Sequence, residues 1–203
     1  MEREAELRRA DLASDPLEQF RHWFAEAGDV LEVPEAMALA TATPDGAPSA
    51  RMVLLKRADE RGLVFYSHYT SRKGRELEAN PQAALLFHWS PLGRQVRVEG
   101  GIERTPVDES DAYFATRPRG AQLGALASRQ SEPLPSRAEL DDRLAELERE
   151  LAGDSVTRPA TWGGFLLVPA AWEFWQHRAS RLHDRFRYER EPSGGWRIER
   201  LFP

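Results

Sequence analysis

The chain has 203 residues, 41% of them hydrophobic and 30% charged, which suits one domain with its own core and excludes a mostly disordered polypeptide. Lys and Arg number 28 against 33 Asp and Glu, a net charge of -5, so the molecule as a whole is no polyanion binder and any anion site must be a local cluster. Cysteine is absent, which excludes disulfides, thiolate metal sites and a cysteine nucleophile.

The opening MEREAELRRADLASD is charged throughout, and no apolar run approaches the ~18 residues of a bilayer span, so a soluble, cytoplasmic protein with no membrane partner is expected. Residues 1–14 read as an N-terminal segment, partly flexible, ahead of a single domain over 15–203. Asp15-Pro16-Leu17 to Gly28 predicts an amphipathic helix: Asp15 as cap, Pro16 at the first helical position, Gly28 as stop, and Leu17, Phe20, Phe24 and Ala27 on one stripe. From Ala36 the apolar period changes to two, and the turn signals Pro44-Asp45-Gly46, Asp59 to Gly62 and Pro91 to Gly93 follow. They separate AMALATAT, PSARMVLLK, GLVFYSH, QAALLFHW and RQVRVEGGIER, which read as strands of an antiparallel meander. Ser71 to Asn80 interrupts them as a helix, Asp108 to Thr116 predicts another, and Ser136-Arg137-Ala138-Glu139 is a capping box opening a third with Leu140, Leu144, Leu147 and Leu151 on its stripe. GGFLLVP, AWEFWQH, RLHDRFRYE and WRIERLF return to strands. Helices inserted between strands, rather than alternating with them, argue for a mainly β antiparallel barrel with peripheral helices.

Three groups of residues are costly as plain scaffold. Arg72 and Lys73 put cations in the first turn of a helix, against the macrodipole and beside free backbone N–H groups, where a bound phosphate resolves both problems. The tripeptide alone favours the plainer account, solvated pairs with Glu76 or Glu78. Arg51 enters an apolar strand, where its guanidinium needs a planar acceptor such as a carboxylate, a phosphate or a ring carbonyl. Trp172 and Trp175 precede Arg181, His183 and Arg185, which strand alternation places on one face as three potential cations. Aromatic and guanidinium planes of this kind suit a stacked heteroaromatic anion; a core Trp beside a salt-bridged rim is the alternative. The five histidines show no metal-ligand spacing, so no metal is expected, and Gly100-Gly101 and Gly163-Gly164 lack the pattern of a phosphate loop.

In order, RMVLLK, FYSHYTSRKGRELEANP, GRQVRVEG, YFATRPR, SRQS, EFWQ and RLHDRFRYER resemble the pyridoxamine 5'-phosphate oxidase family, from about Asp11 to Pro203. The resemblance implies an FMN-binding split barrel, a homodimer with two FMN sites at its interface. It assigns FMN to Arg51, Met52, Val53, Leu54, Leu55, Lys56, Tyr66, Ser67, Arg72, Lys73, Gln95, Gln130, Ser131, Trp175 and Arg185, with Arg72 and Lys73 on the flavin phosphate. Lys56, Tyr113 and Arg117 take the substrate phosphate, and Arg181 and His183, the catalytic candidates, take the substrate ring. Two departures stand out: Ala121 occupies a position where the family often has serine, and only MEREAEL precedes the matching region, where the family commonly has a segment that closes over the substrate.

The activity so implied is oxidation of pyridoxamine or pyridoxine 5'-phosphate to pyridoxal 5'-phosphate, with O2 reduced to hydrogen peroxide. Arg181→Ala is then expected to lower turnover far more than FMN occupancy. Alternatives are a related oxidase acting on another ring, as in phenazine pathways, and a non-catalytic FMN or pyridoxal phosphate carrier. Nucleic-acid binding is the least favoured, given the net charge of -5.

Overall fold

The period-two segments pair into one antiparallel sheet of nine strands in a computed structural model that describes residues 6–203. The strands are β1 (Ala36–Ala42), β2 (Pro48–Leu54), β3 (Arg57–Asp59), β4 (Gly62–His68), β5 (Gln82–Trp89), β6 (Arg94–Arg104), β7 (Trp162–Gln176), β8 (Asp184–Arg190) and β9 (Trp196–Arg200). Their order is β2-β1-β5-β6-β7-β4-β3, with β8 added to β7 and β9 to β8. Five α-helices lie around the sheet: α1 (Pro16–Gly28), α2 (Arg72–Ala79), α3 (Val107–Thr116), α4 (Arg119–Ala127) and α5 (Arg137–Glu150). The sheet curls into a half-barrel, the split-barrel architecture expected from the strand pattern and the resemblance.

The curl originates at β7. Its first half pairs with β4 and its second half with β8, while β6 runs along both halves and changes register between Glu99 and Gly100. A bulge of this kind bends a strand and increases its twist. Gly100 is required there, because a Cβ at this position would lie 2.0 Å from the Val168 carbonyl oxygen. The expectation of two strands, GGFLLVP and AWEFWQH, is therefore corrected to one of 15 residues that bends near Val168-Pro169 without ending.

Helix α1 starts as its sequence dictates, with the Asp15 carboxylate accepting from Leu17 N at 2.7 Å. It packs Phe20 and Trp23 against Phe87, Trp89, Trp172 and Phe174, the main aromatic core. Trp172 is thus a core residue, and Trp175, half-buried, is not. A second core joins Phe114, Leu123, Leu147, Val156 and Trp162 beneath α3, α4 and α5. Of the N-terminal segment, Leu7 and Leu12 are buried in the main core; residues 1–5 of that segment lie outside the described residues.

Three further expectations change. β2 stops at Leu54, and Arg57–Asp59 forms a separate short strand on β4. Arg119–Ala127, for which the sequence carries no helix signal, is a helix entered directly from Pro118; it contains two glycines and lacks a side-chain cap. The strand expected from Arg181 begins only at Asp184, because Ala179–Arg181 form a 3-10 turn. Arg181, His183 and Arg185 therefore do not share a strand face.

Candidate active site

An open cleft of about 1080 Å³ lies between β2, β4, the start of α2, and α3–α4. Ser71 caps α2 by accepting from Gly74 N at 3.3 Å, and its own hydroxyl donates to the His68 carbonyl at 2.7 Å, which aims the first turn of α2 into the cleft. That turn is pressed against the preceding loop: a Cβ on Gly74 would lie 2.1 Å from Tyr69 O.

Arg72 and Lys73 behave differently although adjacent. Arg72 Nε donates to Glu76 Oε1 at 2.8 Å, the pair expected on the plainer account. Lys73 is buried, and its Nζ donates to Ser67 Oγ at 3.0 Å, Gln130 Oε1 at 2.9 Å and Ser71 Oγ at 3.3 Å, all uncharged acceptors. Burial, with the Arg51 charge adding to it, pushes the Lys73 ammonium down to about 8 despite the opposing pull of Glu76.

Arg51 finds its planar acceptor within the chain. Its Nη2 lies 3.2 Å from Glu76 Oε2 and also donates to Ser49 Oγ, while Nη1 donates to Thr41 Oγ1 at 2.5 Å. Glu76 is the hub of this group, accepting from Thr41 at 2.5 Å and Ser49 at 2.6 Å as well as from both arginines. Burial alone would raise the Glu76 carboxyl, but these four donors together hold it at about 2. Sequence reading offered Glu76 only as a surface partner; its burial could not be read from helix spacing.

The remaining cleft residues come from four segments. Met52, Val53, Leu54 and Lys56 line it from β2 and its exit, Tyr66 and Ser67 from β4, Tyr113 and Arg117 from α3 and its end, and Gln130 and Ser131 from the loop after α4. Leu55 instead points into the main core. Ala121 lines the cleft as well, as do His68 and Trp162, which sequence reading missed; no local pattern marks either one. Burial, then the Lys73 and Arg117 charges, lowers the His68 pKa, which favours the neutral ring.

Gln95, Trp175, Arg181, His183 and Arg185 are not among the residues lining this cleft. Gln95, Trp175 and Arg185 lie side by side across β6, β7 and β8, and the His183 ring sits 4.5 Å from Trp175. Trp175 and Trp162 stand at opposite ends of β7, thirteen residues or up to ~40 Å of extended strand apart. Arg185 is paired already: Nε and Nη2 donate to the two Glu173 oxygens at 2.9 and 3.1 Å. His183 Nδ1 accepts from Arg178 N at 3.1 Å, and burial, then His177 and Arg181, lowers its pKa, so the neutral ring keeps a proton on Nε2. Among the described residues the non-glycine positive φ angles are those of Ser131 (74°), Ser180 (57°) and Arg181 (64°), in the SRQS and SRLHDR segments. Backbone held in sparsely populated regions tends to mark functional sites.

The family model for pyridoxamine 5'-phosphate oxidase matches residues 24–149, and that for the pyridoxine 5'-phosphate oxidase C-terminal dimerisation region matches 162–203. The chain belongs to the pyridoxamine 5'-phosphate oxidase family. It is 61% identical to the pyridoxine/pyridoxamine 5'-phosphate oxidase of Rubrobacter xylanophilus, over 98% of this chain and 94% of that one. It is 55% identical to the one of Salinibacter ruber, with the same coverage. Among solved structures, PhzG of Burkholderia lata, in complex with tetrahydrophenazine-1-carboxylic acid, superposes with a TM-score of 0.92 at 35% identity over the full length of both chains. A pyridoxamine 5'-phosphate oxidase-related, FMN-binding protein of Nostoc punctiforme shares the fold, with a TM-score of 0.73 at 18% identity over 95% of this chain and 99% of that one. As a member of this family the chain is a flavoprotein oxidoreductase, and its C-terminal strands match a dimerisation region.

The cleft's own chemistry suits an anion such as a flavin phosphate. Lys73 has only uncharged partners, and Arg117 Nη1 is buried with none. Among the described residues neither side chain forms an ion pair, and cations withdrawn from water without a counter-charge favour an anion.

Proposed function

We propose that the protein oxidises pyridoxamine or pyridoxine 5'-phosphate to pyridoxal 5'-phosphate with FMN as cofactor and O2 as final acceptor. The observation that carries the reading is a pair of cations facing one cleft without carboxylate partners, Lys73 buried and Arg117 half-buried. FMN supplies the two-electron redox chemistry; the chain binds, orients and excludes water. Arg72 and Lys73 at the start of α2 hold the flavin phosphate, with Ser67, Gln130 and Ser131 completing that end. Lys56, Tyr113 and Arg117 hold the substrate phosphate, while Arg181 covers the substrate ring and His183 orients it through its Nε2–H. Each acts mainly by positioning.

The second group, Gln95, Trp175, Arg181, His183 and Arg185, reaches the cleft from a partner subunit in this reading. Support comes from the dimerisation match over 162–203 and from an open apolar face beside the cleft, where Met52 is 64% and Leu54 41% exposed. A second copy covering that face completes two equivalent sites.

Oxidation of another ring is the rival reading, favoured by the likeness to PhzG. The visible spectrum of the purified protein decides, recorded with pyridoxamine 5'-phosphate under anaerobic conditions and again after air is admitted. A flavin band that bleaches and then recovers with peroxide is expected. A flavin band that stays unbleached overturns the substrate, and no band after incubation with FMN overturns the cofactor.

A further inference from the structure

The cleft arginines are held in two distinct ways. Arg51 and Arg72 are anchored by the Glu76 carboxylate, as Arg185 is by Glu173 on the other group. Arg117 instead lies over aromatic rings, its Cζ 4.7 Å from the centroid of Trp162 and 5.5 Å from that of Phe114. A ring face attracts a guanidinium through its quadrupole and occupies none of the in-plane N–H donors. The Arg117 donors accordingly have no hydrogen-bond or ion-pair partner among the described residues, and Nη1 is buried without one.

Trp162 is fixed from several sides. It is 5% exposed and belongs to the second core, its carbonyl accepts from Arg158 Nη1 at 2.5 Å, and Arg158 is itself anchored by Asp111 at 2.7 Å. Pairing of β4 with β7 sets it opposite His68. The same indole is nearly parallel to two tyrosine rings, Tyr66 at 5.4 Å and 13° and Tyr113 at 6.2 Å and 5°, and those two stack on each other at 4.0 Å. Arg117 arrives from the other direction: α3 ends there because Pro118 follows, which keeps Arg117 extended at ψ 145°.

We infer that Trp162 is a positioning residue for phosphate recognition, an aromatic platform that presents the Arg117 guanidinium, with its donors free, to the phosphate of the substrate. This rests on the proposed phosphorylated substrate and adds a residue that itself makes no bond to the phosphate. A platform that uses no N–H suits this task better than a carboxylate, which would occupy the donors and oppose the incoming dianion.

The test uses flavin-loaded protein at fixed flavin content. Dissociation constants for pyridoxal 5'-phosphate and for pyridoxal are measured with Trp162→Leu, Arg117→Ala and the double variant, alongside KM and kcat for pyridoxamine 5'-phosphate. Trp162→Leu is expected to weaken pyridoxal 5'-phosphate about tenfold while pyridoxal changes less than about twofold, the loss appearing in KM more than in kcat. In the Arg117→Ala background Trp162→Leu is expected to add almost nothing, because the two act as one unit. Trp162→Phe, which keeps a ring and folds where the leucine variant fails, is expected to fall between. Equal weakening of pyridoxal and its phosphate overturns the inference, as does additivity with Arg117→Ala or a loss of FMN retention in place of substrate affinity. If the unsubstituted protein discriminates neither ligand, the phosphorylated substrate itself falls, and the inference with it.

Discussion

Glu76 shows how much one buried side chain governs in this cleft. Its folded pKa of about 2 lies below its ordinary 4.5, so its contribution to stability is complete above about pH 4.5 and is lost as the pH falls from there toward 2. Glu76→Gln is expected to cost on the order of 2 kcal/mol at pH 7 and to flatten the stability profile over that acid range. Urea unfolding at several pH values reads both effects, and a variant profile as steep as the native one refutes the assignment. Ala121 gives a second, independent check. It lines the cleft, so Ala121→Ser is expected to lower KM for the phosphorylated substrate about two- to tenfold, the worth of one added hydrogen bond. An unchanged KM would mean that the substrate phosphate does not reach Ala121.

At the scale of elements, α2 is where local sequence and tertiary packing meet. Ser71 as cap and Asn80 as terminus were legible, and the helix runs Arg72–Ala79 as the pattern predicts. The opposite burial of its two first cations was not legible, because it depends on Gln130 and Ser67 arriving from elsewhere in the chain. Gly74→Ala must push the first turn of α2 off the Tyr69 carbonyl; a stability loss of about 1 to 3 kcal/mol and weaker FMN retention are expected. Gly120→Ala on α4, where a Cβ meets nothing within 4 Å, is the matched control and is expected to raise stability by about 0.5 to 1 kcal/mol. Thermal melts of both variants check this, and equal behaviour of the two would sink the close-packing explanation. The turn before β8 makes the same point in reverse: alternation in RLHDR suggested a strand, but positive φ at Ser180 and Arg181 delays the strand to Asp184.

For the whole molecule, the separation of the candidate residues into two groups is the dominant fact. If two subunits share each site, Arg117→Ala and Arg181→Ala damage different halves of it. Mixing these two impaired proteins under exchange conditions, at a substrate concentration where each alone turns over little, is expected to restore about a quarter of native activity, since about half of the dimers are hybrids and each hybrid has one intact site of two. No recovery, with subunit exchange verified by mass, would place both residues in one chain's site and remove the shared-site model.

By itself, the sequence determined the strand periodicity, the caps of α1 and α2, the antiparallel architecture and the motif residues that carry the family resemblance, because each depends on neighbours a few positions away. Tertiary structure alone decided which cations are paired. Arg51 meets Glu76, Arg185 meets Glu173 and Arg117 meets Trp162 only after folding has brought together segments 12 to 45 residues apart. Burial sets the protonation of Lys73 and Glu76, and burial is a property of everything packed around a group, which no local pattern contains.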